Sequence, residues 1–334
     1  MSGEAGGAAR AEALRYHRRR NSLAQAPFAL SLSPAEAGWA WSSLRVLELP
    51  SGGGAELETG QDELLVLPLA GSCQVSCAHG SFDLGGRSSP FAGVSDACYL
   101  PPGTRALLQS SAGGRFALPG ARASGRHPAR YISPGEVPVE LRGAGPSSRW
   151  IAKPCFPDTF PAERLIVCEV VTPGGNWSSY PPHKHDEARD DESELEEIYY
   201  FEVARSASSS PDGQGSKAGS RPVAYQRVYG TPERPIDVLV EVGTGDVVLV
   251  PHGWHGPSMA PPGYDLFYLN VMAGPGRRAW LARDDPAHAW VRDSWAGQAV
   301  DPRLGANGLV VEADGAGARR PGLAVQSQGG GNAD

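Results

Sequence analysis

The chain has 334 residues, 40% of them apolar, enough to fill the cores of about two domains at ~150 residues each. Thirty basic residues stand against 37 acidic ones, a net charge of −7, which excludes an overall electrostatic footprint for nucleic acid or anionic membrane. No run approaches the ~20 apolar residues of a membrane span, and five scattered cysteines (Cys73, Cys77, Cys98, Cys155, Cys168) are unlike a secreted disulfide framework, so a soluble protein of a reducing cytoplasm is expected.

Residues 1–26 are rich in Gly and Ala around a basic cluster, Arg18 to Arg20. The apolar stretch behind that cluster, Ala24 to Leu32, is too short and too interrupted by Gln25, Pro27 and Ser31 for an export signal, so a disordered tail is expected. Residues 27–125 read as short strands: Leu44 to Leu49 and Leu64 to Leu69 are apolar runs, and Gly71, Gly80, Gly85 and Gly86 mark turns. Tyr99 to Thr104 is a strand ending in a Pro-Pro-Gly corner, with no histidine after it. His79 and His127 lie in Gly- and Pro-bounded loops and read as surface residues.

Residues 126–150, rich in Gly, Pro, Arg and Ser, read as a connector. Residues 151–300 repeat the strand-and-turn rhythm, with Leu165 to Val171 as a buried strand. The expected fold class is therefore all-β, two tandem antiparallel barrels with protected edges. A Ser/Gly-rich stretch between Glu202 and Arg221 reads as a mobile loop, and residues 301–334 as a second disordered tail.

Chemistry concentrates in the second half. His183 and His185 are two apart behind a Pro-Pro turn, so in an extended segment both imidazoles leave one face. Glu196 and Glu197 open the strand-like run Ile198, Tyr199, Tyr200, Phe201. A second stretch, Gly245 to His255, is an apolar strand stopped by Pro251 and Gly253, with His255 just past the stop. Three imidazoles and one carboxylate suit Mn, Fe, Co, Ni or Zn. Such a set leaves coordination positions open, as a catalytic site requires.

This order of ligands resembles the metal site of the cupin β-barrels. The segments TPGGNWSSYPPHKHD (Thr172 to Asp186), LEEIYYF (Leu195 to Phe201), QRVY (Gln226 to Tyr229), GDVVLVP (Gly245 to Pro251) and PPGYDLFYLNVMAGP (Pro261 to Pro275) narrow the resemblance to the 5-deoxy-glucuronate isomerase family of myo-inositol catabolism. SPAEAGW, YLPPGT and RYISP extend it upstream, to about residues 28–295.

The resemblance implies a bicupin whose first half has kept the barrel and lost the metal. It implies His183, His185 and His255 as ligands, with Glu197 as the fourth because the cupin glutamate directly precedes the aliphatic-aromatic run; Glu196 remains the alternative. Two features depart from the pattern: the gap from His185 to the glutamate is long and acidic, and the corner Pro251-His252-Gly253-Trp254-His255 is one residue short, with His252 placed at the rim.

The implied reaction is an aldose–ketose isomerisation of 5-deoxy-glucuronate to 2-deoxy-5-keto-gluconate through an enediol. It needs a base near the reacting carbon, for which Glu196, Asp265 and Tyr199 are the candidates. The substrate carboxylate calls for a cation, Arg227 or Lys184, and Tyr264, Tyr268 and Asn270 share a strand face suited to sugar hydroxyls. His288 reads as a surface residue. A homo-oligomer is expected by analogy with cupins that pair through sheet edges. Two other functions use the same ligands: an oxygen-consuming cupin dioxygenase and a non-catalytic sugar-acid-binding cupin.

Overall fold

The computed structural model describes residues 15–125, 127–207, 221–305 and 308–309. The chain opens with β1 (His17–Arg18), β2 (Phe28–Leu32), a one-turn helix α1 (Pro34–Ala37), β3 (Ser42–Leu49), β4 (Gly53–Glu58) and the long β5 (Asp62–Cys77). It continues through β6 (Gly80–Arg87), β7 (Ala97–Leu100), β8 (Arg105–Ser110), β9 (Gly114–Arg122) and β10 (Arg130–Ile132). The second half runs β11 (Val139–Arg142), β12 (Arg149–Cys155), β13 (Ile166–Thr172), β14 (Trp177–Ser178), β15 (His183–Lys184), β16 (Asp186–Arg189), β17 (Glu192–Glu194) and β18 (Glu196–Arg205). Then come β19 (Ala224–Tyr229), β20 (Asp237–Val242), β21 (Val247–Val250), β22 (Trp254–Met259), β23 (Tyr264–Ala273) and β24 (Arg283–Asp284).

Strands β2 to β10 form one nine-stranded antiparallel sheet that β5 bends into a barrel. The first part of β5 pairs with β7 and β9; beyond a register shift near Gly71 it pairs with β6 and β8. Gly71 permits the corner: its φ is +88°, and a Cβ there would lie 2.4 Å from the Gly113 carbonyl oxygen. Leu64, Val66, Val75, Leu84, Leu100, Leu108 and Phe116 fill the interior.

The second barrel has two walls. One is the order β1-β21-β18-β23-β13-β12-β11; the other is β20-β19-β22-β15-β24, with β14 beside β22. Successive residues on the shared wall serve different cores. Ile198, Tyr200, Phe267 and Leu269 pack with Leu65, Leu67, Leu44 and Ala117 of the first half, whereas Tyr199, Phe201, Leu266 and Tyr268 face the second barrel's interior. Burial on both faces explains why these strands read as unbroken apolar runs.

Two carboxylates, one buried and one half-buried, reinforce this contact. Glu63 on β5 accepts from the backbone N–H groups of Glu163, Arg164 and Leu165 at 2.9, 2.6 and 2.7 Å, and from the Tyr99 hydroxyl at 2.7 Å. Reciprocally, Glu196 at the start of β18 accepts from the N–H groups of Ala40, Trp41 and Ser42 at 2.8, 2.9 and 2.9 Å. Each half thus caps the segment leading into a strand of the other.

Several expected boundaries move. Residues 15–26 are not wholly tail: β1 pairs with β21, and His17 Nε2 lies 3.1 Å from Asp246 Oδ2. The expected connector holds β10 in the first sheet and β11 in the second. At the other end, Asp301 bonds Asn176 and Leu304 is buried, so the C-terminal tail does not begin at 301. Residues 1–14, most of the Ser/Gly-rich loop (208–220) and 310–334 lie outside the described residues. Among the described residues, no helix is long and apolar enough to cross a membrane.

Candidate metal centre and active site

His183 sits on β15, His185 just beyond it, Glu197 on β18 and His255 on β22, so both walls of the second barrel supply donors. β15 pairs with β22 with His183 directly opposite His255. One ring nitrogen from each of the three histidines lies within 4.8 Å of the others. Glu197 Oε2 lies 3.2 Å from His185 Nε2 and 3.0 Å from His255 Nε2. His185 and His255 are each 1% exposed and Glu197 3%, while His183 is half-buried at the pocket edge.

These donors fit a metal ion. The Nε2 atoms of His185 and His255 and Oε2 of Glu197 are buried with no aligned hydrogen-bond partner, and unpaired buried polar groups are costly. Their convergence is the arrangement a cation would satisfy. Burial, then His255 and His185, hold His183 well below its ordinary pKa, so it stays a neutral ligand. Burial alone would raise Glu197, but His255 and His185 outweigh it and bring the carboxyl down to about 2. His255 donates through Nδ1 to the Gly253 carbonyl at 3.2 Å, which turns Nε2 inward.

Gly253 makes that corner possible. Its φ is +89°, and a Cβ would meet the Tyr229 carbonyl oxygen at 2.6 Å. The substitution Gly253→Ala is expected to cost about 1–3 kcal/mol of stability and to reduce metal occupancy. Thermal unfolding together with elemental analysis checks both effects.

A narrow pocket opens beside the cluster, and its lining includes His183, Glu197, Tyr199, Tyr268, Asn270, Ser179 and Trp280. The side chains on its wall follow the register: Glu197 opposes Met272, Tyr199 opposes Asn270, and Asn270 opposes Cys168. Tyr199, Ser179 and Tyr268 form a hydroxyl chain with O···O distances of 3.3 and 3.1 Å. The Asn270 side-chain nitrogen is buried without a partner, a donor facing the pocket.

Of the candidates read from sequence, the structure brings together His183, His185, Glu197, His255, Tyr199, Tyr268 and Asn270. Others lie elsewhere. Glu196 is one residue off the pocket face and is consumed by the Ala40–Ser42 backbone, which removes it as ligand or base. Asp265 is also off that face, accepting from Gly174 N at 2.8 Å and Ser206 Oγ at 2.6 Å. Tyr264 is on the pocket-facing side of β23 but at the far end, opposite Arg205. Tyr199 is well placed for a donor but not a base: burial, then Glu197, push its phenol well above its ordinary pKa.

The expected cations also fail. Arg227 faces away from the barrel interior and pairs with Asp237. Lys184 alternates away from its histidine neighbours and is held by Asp186 at 2.7 Å, Glu187 at 3.1 Å and Glu192 at 2.7 Å. This ties the acidic insert down as the hairpin β16–β17. His252 is half-buried and outside the histidine cluster. His288 is half-buried, its ring 6.0 Å from that of Tyr180.

The cations lining the pocket are Arg142, Arg149 and Lys153, which sequence reasoning missed. The available signal was the alternation Arg149, Ile151, Lys153, a period of two with charges on a barrel strand.

Comparisons with known proteins bear on the same regions. The sequence model of the KduI/IolB family matches residues 16–291. The 5-deoxy-glucuronate isomerase of Geobacillus thermodenitrificans (strain NG80-2) is 41% identical over 266 residues, covering 79% of this chain and 90% of that protein. The protein of the same name from Bacillus subtilis (strain 168) is 37% identical over 251 residues, covering 74% and 86%. Among solved structures, an IolB-like protein from Salmonella typhimurium LT2 matches with a TM-score of 0.73 at 34% identity, covering 83% of this chain and 98% of that one. An oxalate decarboxylase from Lactobacillus farciminis, 12% identical with a TM-score of 0.56 over 80% of this chain and 88% of that one, is alike in fold. A family match that runs through both halves and takes in all four converging residues means that the chain belongs to the KduI/IolB family.

Proposed function

We propose that the chain is a metal-dependent aldose–ketose isomerase that converts 5-deoxy-glucuronate to 2-deoxy-5-keto-gluconate. The observation that carries the reading is the set of buried, unpaired donor atoms of His185, Glu197 and His255 beside His183, in a chain 37–41% identical to proteins that bear that isomerase's name. His183, His185, Glu197 and His255 would hold one divalent ion, Mn, Fe, Co, Ni or Zn. Such an ion supplies Lewis acidity toward the aldehyde oxygen and the neighbouring hydroxyl.

The chain's own groups do the rest. The reaction moves a proton from the hydroxyl-bearing carbon to the adjacent aldehyde carbon, through an enediol, with no net redox change and no second cofactor. Tyr199, kept protonated, donates toward the oxygen on which charge develops. Ser179 and Tyr268 continue its hydroxyl chain, a route for passing a proton along the pocket wall. The Asn270 amide donates to a sugar hydroxyl. Leu266, Phe201 and Val203 pack the barrel beyond the phenols and exclude water from that end. The reading includes a cytoplasmic homo-oligomer, for which the five unbridged cysteines support the reducing compartment.

The test is NMR of 5-deoxy-glucuronate incubated with the metal-loaded protein, with an oxygen electrode in parallel. Conversion to the keto acid without oxygen uptake is the expected result. Oxygen consumption would replace the reading with a dioxygenase, and tight binding of unchanged substrate would replace it with a binding protein.

A further inference from the structure

We propose that Arg149 binds the carboxylate of a sugar-acid substrate, in the same cavity as the histidine–glutamate cluster. The proposal rests on the isomerase reading for which sugar acid is bound, and on the structure for the anion site.

Arg149 is 5% exposed, yet among the described residues no carboxylate lies within ion-pair distance of it. Its protein contacts are the Ser147 carbonyl at 3.0 Å, the Tyr180 carbonyl at 3.5 Å and the Trp295 ring, 5.6 Å from the guanidinium carbon to the ring centroid. A guanidinium taken out of water without an anion is costly, and breaking even is possible only when a counter-charge arrives. Burial, with Arg142 close by, lowers its pKa to about 9, in keeping with a positive, desolvated site.

The other two pocket cations are already committed. Arg142 donates to Glu140 at 2.7 and 2.9 Å, and Lys153 Nζ lies 2.7 Å from the same carboxylate. Glu197, the acidic residue of the pocket lining, sits against the imidazoles of His185 and His255. Arg142 and Lys153 thus share one carboxylate, and Arg149 is the pocket cation that has none among the described residues.

Its position suits a short chain anchored at both ends. Glu197 on β18 and Arg149 on β12 both line the cavity on one wall of the barrel; the register sets Trp150 level with Val171, Phe267 and Glu202, so Arg149 lies toward the opposite end of the cavity from Glu197. The Tyr180 carbonyl contact also ties the guanidinium to the loop that carries His183 three residues later. A planar fork that uses two donors on carbonyls keeps others for a carboxylate.

The test uses D-gluconate, a sugar acid with no aldehyde to isomerise, and its neutral counterpart D-glucitol, each titrated calorimetrically into metal-loaded wild type, Arg149→Gln and Arg149→Lys. Wild type is expected to prefer gluconate by about 10–100-fold, the range of a charge-assisted bidentate bond. Arg149→Gln is expected to lose that preference, with glucitol affinity and metal content retained. Its kcat/KM for 5-deoxy-glucuronate should fall chiefly through KM. Arg149→Lys should keep part of the preference, and serves as the test if the glutamine variant does not fold.

No preference in wild type, or equal losses for gluconate and glucitol in the folded variant, would overturn the proposal, since a merely structural arginine affects both ligands alike. An Arg149-dependent preference without turnover of 5-deoxy-glucuronate would leave the anion site standing and remove the isomerase reading. Turnover without such a preference would do the reverse.

Discussion

Replacing His185 with alanine, or Glu197 with glutamine, is expected to take metal content from about one ion per chain to near zero, and to lower turnover by at least about a thousandfold. Both residues are almost fully buried, with their donor atoms turned to one point. Their sequence neighbours Lys184 and Glu196 cannot take their place, because both point to other faces and are bound there. A lost Lewis acid removes several kcal/mol of stabilisation of a developing oxyanion, and each 1.36 kcal/mol is tenfold in rate.

Glu197→Gln is the more telling variant. It keeps volume and one acceptor oxygen but removes the charge that raises His185 against the effect of its burial. Elemental analysis and the NMR assay read both outcomes. Full metal content with full turnover in either variant would remove the four-donor site.

The convergence of the three histidines and a glutamate was legible in the sequence because strand geometry is local. Two histidines two apart must share a face, and Glu196 and Glu197 must face opposite ways, so that only one could bind. The corner before His255 was legible through Pro251 and Gly253, whose backbone restrictions are intrinsic. The cations were not legible. Arg142 and Arg149 lie in a Gly-, Pro- and Ser-rich stretch that reads as a connector, and only pairing with β12 and β13 makes it barrel wall. Lys184 was chosen for its place between the two histidines and Arg227 for the bidentate fork it offers on the QRVY strand, but the alternation of β15 and β19 turns both away. Asp265 lies on the strand that bears Asn270 but on its other face, and Tyr264 shares the face of Asn270 but lies at the far end of the strand, opposite Arg205.

Glu196 carries the second large effect, on stability rather than chemistry. Its carboxylate satisfies three consecutive N–H groups, those of Ala40, Trp41 and Ser42, where the first half feeds into β3. Truncation to alanine leaves them without that acceptor. The expected cost is about 1–3 kcal/mol, because a lost partner of a buried donor costs about 1–3 kcal/mol and water can reach the Ala40 N–H and part of the other two. Glu63→Ala should cost at least as much, since Glu63 is fully buried and also accepts from Tyr99.

Glu196→Gln separates this role from the catalytic one that its place beside Glu197 suggests. The carboxamide oxygen still accepts, so a smaller loss of stability is expected, with metal content retained and turnover within about threefold of wild type. Thermal unfolding of the metal-loaded protein reads the first quantity and the NMR assay the second. A folded, metal-replete Glu196→Gln protein without turnover would return Glu196 to the chemistry. The expected pattern instead makes the two adjacent glutamates a division of labour enforced by the strand's period of two: Glu197 faces the barrel interior and the three histidines, and Glu196 faces the first half and ties the segment before β3 to β18.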